Sequence, residues 1–408
     1  MVHATPTGDV PATVQVLEFF CGVGGLHNAL EQCGVPHVVR CAFDVCDMAL
    51  ATYSHNHAGT PTSTADIASL SEATIARHAA DTWLLSPPCQ PYTRQGDSDL
   101  RDQNRNRGSD GRANALESLV RLLGDCEAAT LPTYLLLENV VGFESSPTRC
   151  RLVAALQLRG FHVRELWASP AHFGLPNQRT RYFLLARRTA DFGDWEAEAA
   201  TARTGIAGAD ADADAHGAAL ASLRLDSSAV EAAAAEGRRL EPPTGMPPES
   251  LVAMCTALEA YLLPPDSEQL ADLAVPDHVL ERYGRAMDLV GRHSRRSCCF
   301  TKNYSRYVKG TGSVLLEALA PGAPPPREAP PLDELRALRP RFFAPTEIAA
   351  IHGFPPSFDF PPKVATKKKW YELLGNSLSV PVVAALLRVL FAPSPPADAT
   401  AQGGSASS

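Results

Sequence analysis

The chain has 408 residues, of which 45% are hydrophobic and 20% are charged, and its formal net charge is −8. This length corresponds to about two domains of roughly 100–200 residues each, and the apolar fraction excludes a wholly disordered chain. No window approaches the roughly 20 uninterrupted apolar residues of a membrane span. No Lys or Arg precedes Arg40, so the sequence predicts an intracellular protein without a targeting signal.

Over the first 190 residues, apolar runs alternate with amphipathic helical patterns. We predict strands at Val14–Phe20, Val38–Asp44, Thr82–Ser86, Tyr134–Glu138, Phe161–Ala168 and Arg181–Ala186, and helices that include Leu26–Cys33, Ala115–Leu123 and Arg149–Leu158. Strands that alternate with helices indicate an α/β fold with a parallel sheet covered on both faces. Such sheets bind ligands beyond the carboxyl ends of their strands.

The middle of the chain has a different composition. Glu196–Gly237 is rich in Ala and Asp, which favours a solvated insertion or linker over an exposed helix. A mixed region follows and ends in a proline-rich stretch at Pro321–Pro331. We then predict a helix at Phe342–Phe354 and a buried helix at Val380–Phe391 that completes the first domain. The predicted catalytic domain is therefore 14–190 plus 340–392, interrupted by a smaller region at 191–339, with flexible tails at 1–13 and 393–408.

Charge and cysteines are unevenly placed. Asp191–Leu240 contains ten acidic residues and four arginines, whereas Gly291–Gly310 contains six basic residues and no acid: Arg292, Arg295, Arg296, Lys302, Arg306 and Lys309. This basic stretch is compatible with phosphate binding, or it is a solvated charged face. The ten cysteines form no CxxC pair and no Cys/His framework, so we expect reduced thiols and no metal site.

A glycine turn follows the first predicted strand. Gly22-Val23-Gly24-Gly25 allows a ligand to approach the backbone and leaves helix N–H groups free for an anion. The turn lacks the spacing of dinucleotide-binding folds and is a weak signal alone. Asp44 ends the second strand, where an acid commonly receives ribose hydroxyls; the alternative is a helix N-cap.

Three further segments contain residues suited to chemistry. In Ser86-Pro87-Pro88-Cys89-Gln90-Pro91, two prolines stop a strand and lock a loop, which favours a nucleophilic Cys89 over an inert buried thiol. Glu138 emerges from a buried strand, and desolvation would raise its pKa as needed to donate a proton to a heteroaromatic nitrogen; the alternative is a structural bond to a loop. Arg179 and Arg181 are expected to point to one face of a strand. There they would clamp a carbonyl or a phosphate, or they would pair with surface acids.

Taken in order, these segments resemble the motifs of cytosine-C5 methyltransferases. The matching residues are Phe20 to Gly25, Pro87 to Gln90, Glu138 to Val140, Gln178 to Arg181 and Gly375 to Leu378. Within that family the chain is most similar to the tRNA cytosine-38 methyltransferases, because of the loop Pro-Pro-Cys-Gln-Pro-Tyr-Thr-Arg, the extended Glu138–Glu144 segment and Cys299-Phe300-Thr301-Lys302. Two departures are Tyr92 where Phe is usual and the longer loop at Asp97–Gly111.

The resemblance implies a Rossmann-like methyltransferase sheet with an inserted target-recognition domain, and S-adenosylmethionine as cofactor. Cys89 would add to C6 of cytosine, a protonated Glu138 would hold N3, and Arg179 and Arg181 would orient Cys89 or grip the base. The implied cofactor residues are Phe20, Gly22, Val23, Gly24, Gly25, Asp44, Val45, Asp66, Ile67, Ser86, Pro88, Asn376 and Ser377. The implied substrate residues are Gln90, Arg94, Arg292, Arg295, Arg296, Cys299, Phe300, Thr301, Lys302 and Tyr304.

The sequence predicts methylation of cytosine 38 in the tRNA(Asp) anticodon loop, because an unpaired base is cheaper to extrude than a paired one. The alternatives are a DNA cytosine-C5 methyltransferase and a non-catalytic protein that binds nucleic acid or S-adenosylmethionine. We expect a monomer, no metal and no membrane partner. The expected location is the cytoplasm, with the nucleus as an additional site.

Overall fold

The computed structural model describes residues 13–88, 111–189, 191–192, 224–235, 240, 247–361 and 366–393. A seven-stranded sheet is built from β1 (Val14–Phe19), β2 (His37–Phe43), β3 (Thr62–Ser63), β4 (Thr82–Leu85), β5 (Tyr134–Val140), β6 (His162–Ala168) and β7 (Arg181–Arg187). Its strand order is β3-β2-β1-β4-β5-β7-β6. The six strands predicted from apolar runs are confirmed, with shifts of one or two residues at most of their ends.

Helices cover both faces of this sheet. On one face α1 (Gly25–Cys33) packs against the last helix of the chain, and on the other α4 (Gly111–Asp125) packs against α5 (Pro147–Leu158). Val14 and Val16 of β1 belong to one core cluster, whereas Leu17 and Phe19 belong to the other. Successive strand residues therefore fill opposite sides of the sheet, as strand geometry requires. Helices α2 (Asp47–Asn56) and α3 (Glu72–Ala76) complete this part of the chain.

One strand, β7, departs from the predicted parallel arrangement of the sheet. This strand pairs antiparallel with both β5 and β6, and it lies between them. The connection from β6 to β7 contains a 3₁₀ turn at Pro170–Phe173 but no α-helix, and a parallel return needs a longer crossover, usually a helix. Consequently β7 runs antiparallel beside β6. The residues before Arg181 thus lie at the edge of the sheet where β5 ends.

The region after β7 forms a smaller sheet with short helices. It contains α6 (Ser227–Ala235), α7 (Glu249–Met254), α8 (Asp277–Tyr283), β8 (Asp288–Val290), β9 (Ser313–Leu316), α9 (Leu332–Ala337) and β10 (Pro340–Arg341). The order of this sheet is β10-β9-β8. Helix α6 corrects part of the predicted linker, because Val230 is fully buried in the main core. Residues 196–223 of the predicted insertion, and most of both predicted tails, lie outside the described residues.

The chain then returns to the main sheet through α10 (Pro345–Ile351), α11 (Lys367–Gly375) and α12 (Val380–Phe391). Helix α10 is shorter than predicted because Pro345 begins it and Gly353, with φ of 81°, follows its end. Helix α12 has the predicted bounds. Within the described residues, Lys367–Phe391 is long and apolar enough to cross a membrane. However, 72% of its most apolar part is buried inside the protein, as is typical of a core helix. One core cluster continues from β1 into the smaller sheet, and the domain boundaries at 190 and 340 stay predictions.

Candidate functional site

A cavity of about 530 Å³ opens at the carboxyl edge of the main sheet. Its floor is formed where β1, β2, β4 and β5 end, and it is lined there by Phe20, Asp44, Ser86 and Glu138. The edge of the sheet beyond the strand ends is where doubly wound α/β proteins bind their ligands. The cavity therefore lies where the alternation of strands and helices predicts a ligand site.

The glycine turn and Asp44 form one wall. The backbone N–H groups of Gly22 and Cys46 each donate to a different Asp44 carboxylate oxygen, both at 2.9 Å. Phe20 and Gly22 have positive φ angles of 59° and 55°, and this conformation suits glycine. A Cβ on Gly22 would meet nothing within 4 Å, so the turn leaves open space above its backbone. Burial raises the pKa of Asp44, although the two N–H donors oppose that shift.

Most of the predicted cofactor residues meet around this cavity. The segment after α11 also lines the cavity and packs beside the glycine turn, since a Cβ on Gly25 would lie 3.1 Å from both the Leu378 side chain and the Ser377 hydroxyl. The predicted residues that line the cavity are Phe20, Gly22, Val23, Gly25, Asp44, Val45, Asp66, Ile67, Ser86, Pro88, Asn376 and Ser377. Asp66 also caps a 3₁₀ turn by accepting the Ala68 N–H. Their roles toward a cofactor stay predictions.

Gly24 is an exception, because it does not line the cavity. Its φ is 91°, and a Cβ there would lie 2.7 Å from Nε2 of His57 and 3.2 Å from the Tyr53 ring. Gly24 is thus needed for close packing against α2 and its C-terminal end. No local pattern indicates this contact, since His57 lies 33 positions further along the chain.

The carboxyl group of Glu138 lies on the other side of the cavity. Its Oε1 is 3.3 Å from Nε of Arg181. Burial raises the pKa of Glu138, and the positive charges of Arg181 and Arg179 only partly oppose this shift. The side chain therefore holds its proton to a higher pH than an ordinary glutamic acid does. A buried acid with a retained proton can donate to a ring nitrogen.

Arg179 ties three segments together. Its guanidinium donates to the carbonyl oxygens of Phe300 at 3.0 Å, Gly375 at 3.1 Å and Ser377. It also donates to Sγ of Cys299 at 3.3 Å. Both terminal nitrogens of Arg179 are used on protein atoms and so fix these loops in place, whereas its buried Nε has no hydrogen-bond partner among the described residues.

Cys299 is a second thiol next to this site. Burial would raise its pKa, but the adjacent Arg179 and Arg181 outweigh burial and lower the pKa of the Cys299 thiol. Its sulfur lies 3.8 Å from a terminal nitrogen of Arg181. The predicted substrate residue Cys299 is thus joined to both arginines near Glu138.

The predicted nucleophile Cys89, together with Gln90 and Arg94, lies outside the described residues. Pro88 directly precedes Cys89 in the sequence and lines the cavity. Asn139 was not singled out from the sequence, although it stands in the Glu138-Asn139-Val140 motif. Its amide donates to the Pro87 carbonyl at 3.3 Å, so it holds the end of the proline loop beside Glu138.

The arginines in the first half of the basic stretch have partners within the protein. Arg292 pairs with Glu259 at 3.8 Å, Arg296 pairs with Asp288 at 2.8 Å, and Arg295 donates to the Cys255 carbonyl. Phe300 and Tyr304 are 1% and 3% exposed. Both rings are therefore packed inside the protein in this structure, and their predicted contact with the substrate stays a prediction.

A group of possible metal ligands lies outside the cavity. One ligand atom each of His27, Glu31 and His57 lies within 4.8 Å of the others. The two imidazole rings are stacked 3.8 Å apart with an interplanar angle of 7°, so their nitrogen lone pairs run parallel and do not converge as metal ligands do. The expectation that the protein needs no metal stays a prediction.

The strand order and the cavity together define a doubly wound α/β enzyme with a ligand cleft at the carboxyl edge of its sheet. The family model of the C-5 cytosine-specific DNA methylases matches residues 14–203 and 266–392. A tRNA (cytosine(38)-C(5))-methyltransferase of Rattus norvegicus is 35% identical, over 92% of this chain and 99% of the relative. A DNA (cytosine-5)-methyltransferase of Dictyostelium discoideum is 31% identical, over 93% and 95% of the two chains.

The crystal structure of the S. pombe Dnmt2 methyltransferase superposes with a TM-score of 0.70 at 27% identity, over 93% of this chain and 98% of that one. The chain therefore belongs to the cytosine-C5 methyltransferase family. It is a cytosine-C5 methyltransferase whose most similar reported relatives are named as enzymes of tRNA. The family assignment made from the five motifs is confirmed.

Proposed function

We propose that the protein transfers a methyl group from S-adenosylmethionine to C5 of cytosine 38 in the anticodon loop of tRNA(Asp), through a covalent bond between Cys89 and C6. The observation that carries this proposal is the buried carboxyl of Glu138, 3.3 Å from Arg181, whose pKa is raised by burial. It lies in the same cavity as the glycine turn and as Pro88, the residue before Cys89. The buried acid beside the glycine turn supports acid-assisted chemistry at this ligand site.

The residues around the cavity fit S-adenosylmethionine. Asp44, at the end of β2, is positioned for ribose hydroxyls, and Phe20 offers an aromatic face to adenine. Gly22 leaves room above the turn, while Asn376 and Ser377 close the far side. When bound, S-adenosylmethionine supplies an electrophilic methyl group.

The chain's own residues would prepare the cytosine. The Cys89 thiolate adds to C6, which pushes electron density onto C5 and makes it nucleophilic. Glu138 donates a hydrogen bond from its proton to N3 and stabilises the charge that develops in the ring. After C5 has received the methyl group, a base removes the C5 proton and the C6–S bond breaks, so Cys89 leaves as a thiolate. Covalent addition divides one difficult substitution into easier steps.

Reaching such a cavity requires an extruded base. The target atom of a stacked base is inaccessible, and unstacking costs least for a base that is already unpaired. A hairpin loop of RNA meets this requirement better than duplex DNA does. The relatives named as tRNA (cytosine(38)-C(5))-methyltransferases support the same choice.

The test is transfer of labelled methyl groups to an unmodified tRNA(Asp) transcript, to the same transcript with uridine at position 38, and to duplex DNA. We expect label only in the first. Cys89→Ala abolishes transfer and leaves S-adenosylhomocysteine binding unchanged, whereas the control Cys150→Ala, a half-buried thiol that does not line the cavity, retains turnover. Faster labelling of DNA would replace this proposal with the DNA activity named for the Dictyostelium relative, and turnover by Cys89→Ala would remove the proposed nucleophile.

A further inference from the structure

The segment Thr301–Thr311, which we name the Lys302 loop, is closed on itself by hydrogen bonds. The Thr301 N–H donates to the Thr311 carbonyl at 2.9 Å, and the Tyr307 N–H donates to the Asn303 carbonyl at 3.1 Å. The Thr311 hydroxyl donates to the Tyr307 carbonyl at 2.5 Å. All three bonds are accepted by backbone carbonyls, so the shape of the loop does not depend on the Tyr307 side chain.

The two tyrosines of this loop have opposite environments. The Tyr304 hydroxyl donates to the Ser313 carbonyl at 2.7 Å and accepts from the Phe343 N–H at 2.9 Å, and the ring is buried. The Tyr307 side chain is 54% exposed, and the guanidinium carbon of Arg306 lies 5.3 Å from its ring centroid. An exposed aromatic ring offers a flat face on which a base can stack.

The Lys302 loop begins at the cavity. A Cβ on Gly375, which lines the cavity, would lie 2.1 Å from the Lys302 backbone nitrogen. Arg179 holds the preceding residue pair through the Phe300 carbonyl and the Cys299 sulfur. The start of the loop is thus packed against the wall of the site.

The charges on the loop have no acidic partner of their own. Among the residues that the structure describes, Lys302, Arg306 and Lys309 form no ion pair, whereas Arg292 and Arg296 of the same basic stretch do. A ring with cations around it has the composition of single-stranded nucleic-acid sites, in which bases stack on aromatic side chains while phosphates meet Lys and Arg.

We propose that Tyr307 is a substrate-binding residue that stacks on an unpaired base of the RNA, while Lys302, Arg306 and Lys309 contact the neighbouring phosphates. This inference rests on the proposed function, since it takes RNA as the substrate. Of the two tyrosines in the basic stretch, Tyr307 is the exposed one, so the base stack is assigned to it and not to Tyr304. The base that stacks is a neighbour of the methylated cytosine, because the loop borders the cavity without lining it.

The test compares Tyr307→Ala with Tyr307→Phe and with a matched control, Tyr283→Ala. Tyr283 is 43% exposed and has the Arg282 guanidinium carbon 5.3 Å from its ring centroid, so it reproduces the same pair on helix α8. Dissociation constants for the tRNA(Asp) transcript are measured at fixed salt, together with kcat and KM. For Tyr307→Ala we expect Kd and KM to rise on the order of 10-fold to 100-fold, as for loss of one base stack, with kcat nearly unchanged.

Tyr307→Phe keeps the ring and binds like the wild type, and Tyr283→Ala binds like the wild type as well. Unchanged Kd and KM for Tyr307→Ala would overturn the inference, and so would an equal loss in Tyr283→Ala, which would show a general surface effect. Equal weakening by the Phe variant would assign the contact to the hydroxyl and overturn stacking. If the wild type fails to methylate the transcript, the proposed function fails, and the Kd comparison still decides whether Tyr307 binds RNA.

Discussion

Replacement of Gly375 by Ala perturbs the contact between the cavity wall and the Lys302 loop. The added Cβ would lie 2.1 Å from the Lys302 nitrogen, 2.2 Å from the Thr301 carbonyl carbon and 2.6 Å from the Lys302 Cα. All three atoms belong to the backbone, so no side-chain rotation relieves the clash. Either the loop or the end of α11 must move.

The size of the effect follows from two consequences of that movement. Forcing one extra carbon into a packed site costs about 1–3 kcal/mol. The Gly375 and Ser377 carbonyls also accept hydrogen bonds from Arg179, and a shift of α11 stretches both. Because Asn376 and Ser377 line the cavity, we expect S-adenosylhomocysteine to bind about 10-fold more weakly, which corresponds to about 1.4 kcal/mol.

Thermal unfolding and calorimetric titration with S-adenosylhomocysteine measure both effects. Gly124→Ala is the matched control, since it adds the same carbon within helix α4 where no atom lies within 4 Å. Ala is favoured over Gly inside a helix by about 1 kcal/mol, so this variant melts at the same temperature as the wild type or higher. Gly375→Ala melts lower and binds more weakly. A Gly375→Ala variant that matches Gly124→Ala in both measurements would refute the argument.

Two further predictions concern buried carboxyl groups. The alkaline decline of kcat/KM reports loss of the Glu138 proton, so Glu138→Gln, whose amide cannot ionise, lowers kcat/KM but shows no such decline; a decline that persists in this variant must come from another group. Burial raises the pKa of Glu18 to about 8. The folded state therefore holds the Glu18 proton more tightly than the unfolded state does, and the stability that this preference contributes is complete below pH 4.5 and is lost as the pH rises toward 8. Glu18→Gln keeps an acceptor for the Tyr53 hydroxyl and raises the free energy of unfolding at pH 8 by up to about 4 kcal/mol, with no gain at pH 4.5. Denaturant midpoints at the two pH values check this, and equal midpoints at pH 8 would contradict it.

The position of the site could be predicted because strand ends are visible in the sequence. Phe20, Asp44, Ser86 and Glu138 each stand at or just after the end of an apolar run, and parallel strands place such residues on one edge. The bounds of Val380–Phe391 were also predictable, since every position from Val380 to Phe391 except Pro381 and Arg388 is apolar. Local pattern and sheet geometry were sufficient for these features.

Other features depend on contacts between distant parts of the chain. The direction of β7 follows from the missing helix in its connection, which apolar runs alone do not reveal. Tyr304 and Tyr307 stand three positions apart in one basic stretch, and only packing against Phe343 distinguishes the buried ring from the exposed one. Arg179 reaches a carbonyl 196 positions away in the sequence, so its role as a tie between loops has no local signal.

The Lys302 loop is held to the catalytic wall by main-chain atoms, namely the Phe300 carbonyl, the Lys302 nitrogen and the backbone of Gly375. Apart from changes at Arg179 and Gly375 themselves, substitutions of side chains leave these main-chain anchors in place. The loop's outward side chains are therefore free to diversify over evolution while its docking point stays constant. In such an arrangement, the preference for one nucleic acid over another can change through the side chains of the loop, while the residues of the adjacent cavity keep their positions.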